Sequence, residues 1–195
     1  MPRRLLVSLG ILAVVILTGI GMSVRLQHAN TAAPSPYGAQ LQSPVRGLSS
    51  QEVDDLLNGR GAGYARMAEL NNYPGPRHAL DLEQELGLSS DQVQQMGVVF
   101  DQMQAEAKHI GTEVVQRETE LSAAFAGGTI SEAAMRTQSE TLGQLYGALR
   151  ATHLRAHLQI TPLLSAEQIN KYNMLRGYVN TPAATTPGEH QHQSD

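Results

Sequence analysis

Between residues 89 and 160 the chain lays down one apolar stripe, turns on Gly127-Gly128 and lays down a second. On the first arm Val93, Met96, Phe100, Met103, Ala107, Ile110, Val114, Leu121 and Ala124 alternate spacings of three and four, broken only at Arg117. On the second, Met135, Leu142, Leu145, Leu149, Ala156 and Ile160 carry the seam, with Gln138 and Thr152 also on it. A heptad-like pattern of this length is served only by long helices, and two joined by a tight turn form an antiparallel hairpin. No segment alternates with the period of a strand, and no glycine-rich phosphate loop follows one. The fold class expected is therefore all-α: a long antiparallel helical hairpin with short flanking helices. Neither arm can bury its stripe alone, so the flanking helices or a second copy in a homodimer must cover it.

Local signals mark where the other helices start and stop. Ser49 with Glu52, Ser89 with Gln92, Thr129 with Glu132 and Ser165 with Gln168 all stand at capping-box spacing. A first helix from Ser49 is interrupted by Gly59, Gly61 and Gly63. A short helix over 63–71 ends at Tyr73-Pro74-Gly75-Pro76, another over 77–86 stops at Gly87, and the last runs from Ser165 to about Tyr178.

Ahead of this domain, Leu5 to Val24 is a run of twenty residues without a charge. About 20 apolar residues span a bilayer core of ~30 Å as a helix. Arg3 and Arg4 precede the run, which keeps the N-terminus in the cytoplasm and puts the rest of the chain outside it. Residues 1–25 read as an N-terminal anchor (a transmembrane helix through residues 5–24). The alternative is a signal peptide cut near Thr31-Ala32-Ala33, which leaves the domain soluble. Residues 26–47, with Pro34, Pro36 and Pro44, read as a flexible linker, 48–180 as the helical domain, and 181–195 as a disordered tail. The chain has no Cys, which excludes disulfides, thiolate-held zinc and thiol catalysis. Past residue 46, 10 Lys/Arg stand against 18 Asp/Glu, an acidic balance that argues against nucleic acid as a partner.

Two pentads, Leu88-Ser89-Ser90-Asp91-Gln92 and Leu164-Ser165-Ala166-Glu167-Gln168, stand at helix starts on either side of the hairpin. They resemble the LTxxQ signature of the Spy/CpxP family of periplasmic proteins, with Ser in place of Thr in both copies. Residues Leu88, Ser89 and Gln92, and likewise Leu164, Ser165 and Gln168, are then structural: the hydroxyl caps, Gln answers it, and Leu fastens the turn. Asn72-Tyr73-Pro74-Gly75-Pro76-Arg77-His78 and Leu175-Arg176-Gly177-Tyr178 look like the heavy-metal-sensor-like branch of that family. The resemblance covers roughly residues 75–180. It implies a helical hairpin in the periplasm, often dimerised into a cradle, here held at the inner membrane by the single-pass anchor. Members include ATP-independent chaperones, envelope-stress modulators and metal-responsive proteins of the ZraP and CnrX types. Spy-like chaperones usually present a basic concave face, whereas this domain is acidic. The anchor and the His-bearing helix look more like the CnrX type, a tethered metal sensor that holds an anti-sigma partner.

The function so implied is that of a non-enzymatic envelope-stress or metal-stress accessory protein, binding a divalent ion such as Zn, Ni, Co or Cu. Two other readings stay open: a chaperone for unfolded-protein clients, and a regulatory partner of a sensor kinase or anti-sigma factor in the membrane. His153 and His157, four apart, share a helix face and could chelate one ion. A turn centred on Gly127-Gly128 sets His153 opposite Gln102 and Asp101, and His157 opposite Val98, so Asp101 is the third candidate ligand. His109, opposite Tyr146 and about 10 Å further along the axis, is out of reach. His190-Gln191-His192 in the tail is a second candidate metal site. Against these stand plainer readings, polar residues flanking a helix interface and a solvated tail. His78 begins a helix and carries no site in this reading, and Met96 and Met103 are core. No catalytic constellation emerges: there is no nucleophile elbow and no His-Glu-x-x-His.

Overall fold

The computed structural model describes residues 35–43 and 45–178. The apolar run 5–24 and the tail 181–195 lie outside the described residues, His190 and His192 with them. Among the described residues the chain is helical, without a strand, and no helix is long and apolar enough to cross a membrane. Seven α-helices follow in order: α1 Ser50–Asn58, α2 Arg66–Glu69, α3 Pro76–Asp81, α4 Glu83–Leu86, α5 Ser90–Ala126, α6 Glu132–Ile160 and α7 Ala166–Leu175. Single 3-10 turns occupy Gly38–Gln42 and Thr161–Leu163. The hairpin of α5 and α6 is the frame, with α5 about 55 Å long.

Three of the four expected capping boxes form. Ser49, Ser89 and Ser165 each accept the N–H three residues on, and Glu52, Gln92 and Gln168 reach back to the cap N–H. At the hairpin turn the cap is Ser131, not Thr129. Gly128 takes a positive φ of 63°, the loop runs on past it, and Ser131 accepts the Ala134 N–H at 3.2 Å.

The pentads do more than cap. Gln92 Nε2 donates to Gln168 Oε1 at 2.9 Å, and Gln168 Nε2 donates to Gln92 Oε1 at 3.1 Å. Gln92 Nε2 also donates to the Leu163 carbonyl at 2.7 Å. Each amide oxygen meanwhile accepts its own cap N–H at 2.9 Å. Only an amide can accept from the cap and donate across to the other helix, so a carboxylate would not serve here. Ser49 can use Glu52 because that box is exposed and stands alone.

The flanking helices cover the stripe within one chain from Met96 to Val114 and from Leu142 to Ile160, while Leu121, Ala124 and Met135 near the turn stay half-buried. Val45, Leu48, Val53 and Leu56 pack on Ala107, Ile110, Val114, Leu142 and Leu149 in one core. A second core near the pentads joins Ala79, Leu86, Met96, Ile160, Leu164 and Tyr172. Val45 is 4% exposed, so the expected linker gives way to the folded domain before residue 47, because an apolar side chain there reaches the α1–α5 groove. Helix α1 lies close on α5 at Gly111, where a Cβ would stand 2.1 Å from the Leu56 carbonyl oxygen. The expected helix over 77–86 divides at Leu82 into α3 and α4, since Leu82 sits at φ −106°, ψ 22°.

The register of the hairpin also differs from the expected one. Thr152 donates to Glu106 at 3.1 Å, Arg155 pairs with the same carboxylate, and Tyr146 donates to Glu118 at 3.2 Å. These pairings are displaced by about one helical turn or more from those set by a turn on Gly127-Gly128, because α6 begins only at Glu132. His109 does not face Tyr146; it is exposed beside Glu113 at 3.3 Å.

Candidate functional site

The segment between α1 and α3 builds the site. Gly59 ends α1 in the left-handed conformation at φ 62°, which needs no Cβ to be accommodated. The chain then loops through Gly63, turns once as α2, and runs through Pro74-Gly75-Pro76 into α3. Those three residues are buried. Tyr172 of α7, fully buried, accepts the Gly75 N–H at 3.2 Å, and Asn173 donates to Asn72 at 2.7 Å. The last helix thus holds the 72–75 strap against α6.

Under this segment lie His153 and His157, 2% and 6% exposed. His153 stacks on Tyr64 with ring centroids 5.8 Å apart and planes within 5°. Its Nε2 is buried with no hydrogen-bond partner. Burial, with the neighbouring His157 adding to it, pushes its pKa down to about 4, so the ring is neutral at pH 7. His157 Nδ1 lies 2.9 Å from the Tyr73 carbonyl. A carbonyl only accepts, so Nδ1 carries a proton, and Nε2 is the nitrogen left to face the cavity.

That edge of the ring and a carboxylate border the same small space in front of Gly75. A Cβ on Gly75 would sit 2.9 Å from Glu69 Oε1, 2.9 Å from His157 Cε1 and 3.3 Å from His157 Nε2. His78 Nε2 is 3.8 Å from the same Glu69 oxygen. The other Glu69 oxygen accepts from the Tyr178 hydroxyl and, at 3.5 Å, from Arg176. Burial foremost, and then the Arg176 charge, lower the pKa of His78, against the opposing pull of Glu69 and Asp81. A cavity of about 720 Å³ opens here, walled in part by Glu69, His78, Met103, His153 and His157.

Of the residues singled out from the sequence, His153 and His157 come together on this wall. Asp101 does not join them: it is exposed on α5 and off the wall, a consequence of the displaced register. Leu88, Ser89, Gln92, Leu164, Ser165 and Gln168 take their capping and packing places. Glu69 and His78 were missed. Glu69 lies in a four-residue helix, and His78 follows a proline helix start; neither has a local signal beyond Gly75 between two prolines, which marks a close approach. Met103, read as core, is buried and also reaches the cavity.

Among the described residues no three His, Asp or Glu side chains stand close enough together to form a ready metal site. The donors nevertheless suit a borderline divalent ion: imidazoles, one carboxylate oxygen and a thioether. The His157 arrangement, one ring nitrogen on a backbone carbonyl and the other free, is the orientation metal-bound histidines take. No protein-family model, no curated protein and no solved structure matches the chain.

Proposed function

We propose that this is a non-enzymatic, membrane-tethered periplasmic accessory protein of the Spy/CpxP type that binds a divalent metal in a stress-sensing or resistance role. The observation that carries the metal reading is the convergence of His157 Nε2 and Glu69 Oε1 on the space in front of Gly75, with His78 beside the same carboxylate. His78, His157 and Glu69 would hold the ion, with His153 one turn along α6. Bound there, it would link the strap before α3 to the hairpin. The family assignment rests on the two pentads and their places at the starts of α5 and α7. Covering of the hairpin seam by α1 and α3 favours this reading over a chaperone that offers the seam to clients.

The test is calorimetric titration of the full chain in detergent with Zn, Ni, Co and Cu. His190→Ala and His192→Ala remove the tail imidazoles from the measurement. One ion per chain is expected, with binding lost in His157→Ala and weakened about tenfold or more in Glu69→Gln. Absence of saturable binding, or binding indifferent to both substitutions, sinks the proposal.

A further inference from the structure

The same cavity has a mouth that the imidazoles and Glu69 leave unused, and its charge is opposite to that of the domain. Arg60, Arg66, Arg77, Lys108 and Arg176 are on its wall, half of the 10 Lys/Arg that follow residue 46, and among the described residues Glu69 is the only acid there. Three of these cations are paired nearby: Arg60 with Asp54 and Asp55, Arg77 with Asp81, and Arg176 with Glu69 at 3.5 Å. Arg66 and Lys108 make no ion pair among the described residues, and Arg176 Nε is buried without an acceptor.

Backbone donors stand beside them. The N–H groups of Gly59 and Arg60 are used up on the Leu56 and Asp55 carbonyls, at 3.2 and 2.9 Å. Those of Gly61, Ala62 and Gly63, the next three residues of the wall, donate to no acceptor among the described residues. Ala62 and Gly63 hold positive φ values of 41° and 81°. At Gly63 the Arg66 guanidinium comes within 3.0 Å of where a Cβ would be, and at Gly59 the Lys108 stem within 3.1 Å. The Arg66 guanidinium therefore lies over Gly63, while Lys108 lies against Gly59 by its stem and shares the cavity wall. Free backbone amides in a tight loop, flanked by unpaired cations, suit the oxygens of a phosphate or carboxylate.

We propose that this mouth binds a small organic oxyanion, a carboxylate or a phosphate ester. Its charged end lies on the Gly61–Gly63 amides, Arg66 and Lys108, and its body runs into the cavity toward Phe100 and Met103. The volume of about 720 Å³ falls in the range of small-molecule sites, roughly 300–1,000 Å³. Nothing in this site requires a metal.

The experiment uses the full chain, stripped of metal on a chelating resin and held in a chloride buffer. Citrate, glycerol 3-phosphate and inorganic phosphate are titrated separately by calorimetry. Saturable one-to-one binding of citrate or the phosphate ester is expected. Inorganic phosphate should bind more weakly, since it lacks a body to fill the cavity. Arg66→Gln and Lys108→Gln, both at exposed side chains that do not support the core, should each weaken binding about tenfold. Failure of all three anions to saturate, or equal affinity in the double variant, overturns the proposal. Since no metal is present, that failure leaves the metal reading standing, and failure of the metal reading leaves this one.

Discussion

A buried imidazole whose Nε2 meets no partner lowers the stability of the domain that keeps it, by about 1–3 kcal/mol of unrecovered desolvation. Packing does not require it, because a phenyl ring would stack on Tyr64 equally well. His153 also makes the fold acid-sensitive. Below the ordinary histidine pKa near 6.5 the unfolded chain takes up a proton; the folded chain does not until about pH 4. The domain therefore has its full stability above pH 6.5 and loses about 3 kcal/mol of it as pH falls toward 4. The titratable neighbours are His157, whose own protonation opposes that of His153, and the stacked Tyr64. His153→Phe is expected to raise stability at pH 7 by about 1 kcal/mol and to flatten the fall between pH 7 and pH 5. Urea unfolding at both pH values checks this, and an unchanged slope would assign the acid sensitivity to other groups.

Helices were legible where their signals are local. The two stripes, the three Ser caps and the glycine breaks all stand in the sequence, and the helices begin and end close to where those signals put them. Relations between helices were not. The cap on α6 moved from Thr129 to Ser131, and this local change displaced the whole register and removed Asp101 from the histidines. The site itself depends on pairs such as Tyr73 with His157 and Glu69 with Tyr178, which are far apart in sequence and carry no periodic signature. Helix α1 illustrates the same point, since its fit to α5 rests on Gly111, which in the sequence is one more glycine inside a helix. Ala there would gain about 1 kcal/mol of helix propensity. Against this, its Cβ would press on the Leu56 carbonyl at 2.1 Å, and backbone cannot turn aside as a side-chain tip can. Displacement of α1 should win: Gly111→Ala is expected to destabilise by about 3 kcal/mol, read by thermal or urea unfolding. A neutral or stabilising result would mean that α1 does not seat on α5 at this point.

Across the whole molecule, the hairpin is the rigid frame and the 59–75 segment is held to it from the far end of the chain. The Tyr172 hydroxyl under Gly75, Asn173 on Asn72, and Arg176 and Tyr178 on Glu69 are the ties. A chain ending at Leu164 keeps both arms but loses all four. It should retain most of the far-UV helical signal, while trypsin cuts after Arg66 and Arg77 at least tenfold faster, because local opening no longer has to break those contacts. Equal cutting rates in the two chains would show that the strap stands without α7.

Those ties also set an order in time. The loop over 59–75 is made long before the residues that fasten Glu69: Arg176 and Tyr178 follow even the α6 histidines and are among the last of the described chain. An incomplete chain can be helical and still have no finished pocket. The pocket wall is therefore complete only in a molecule whose synthesis has passed Tyr178.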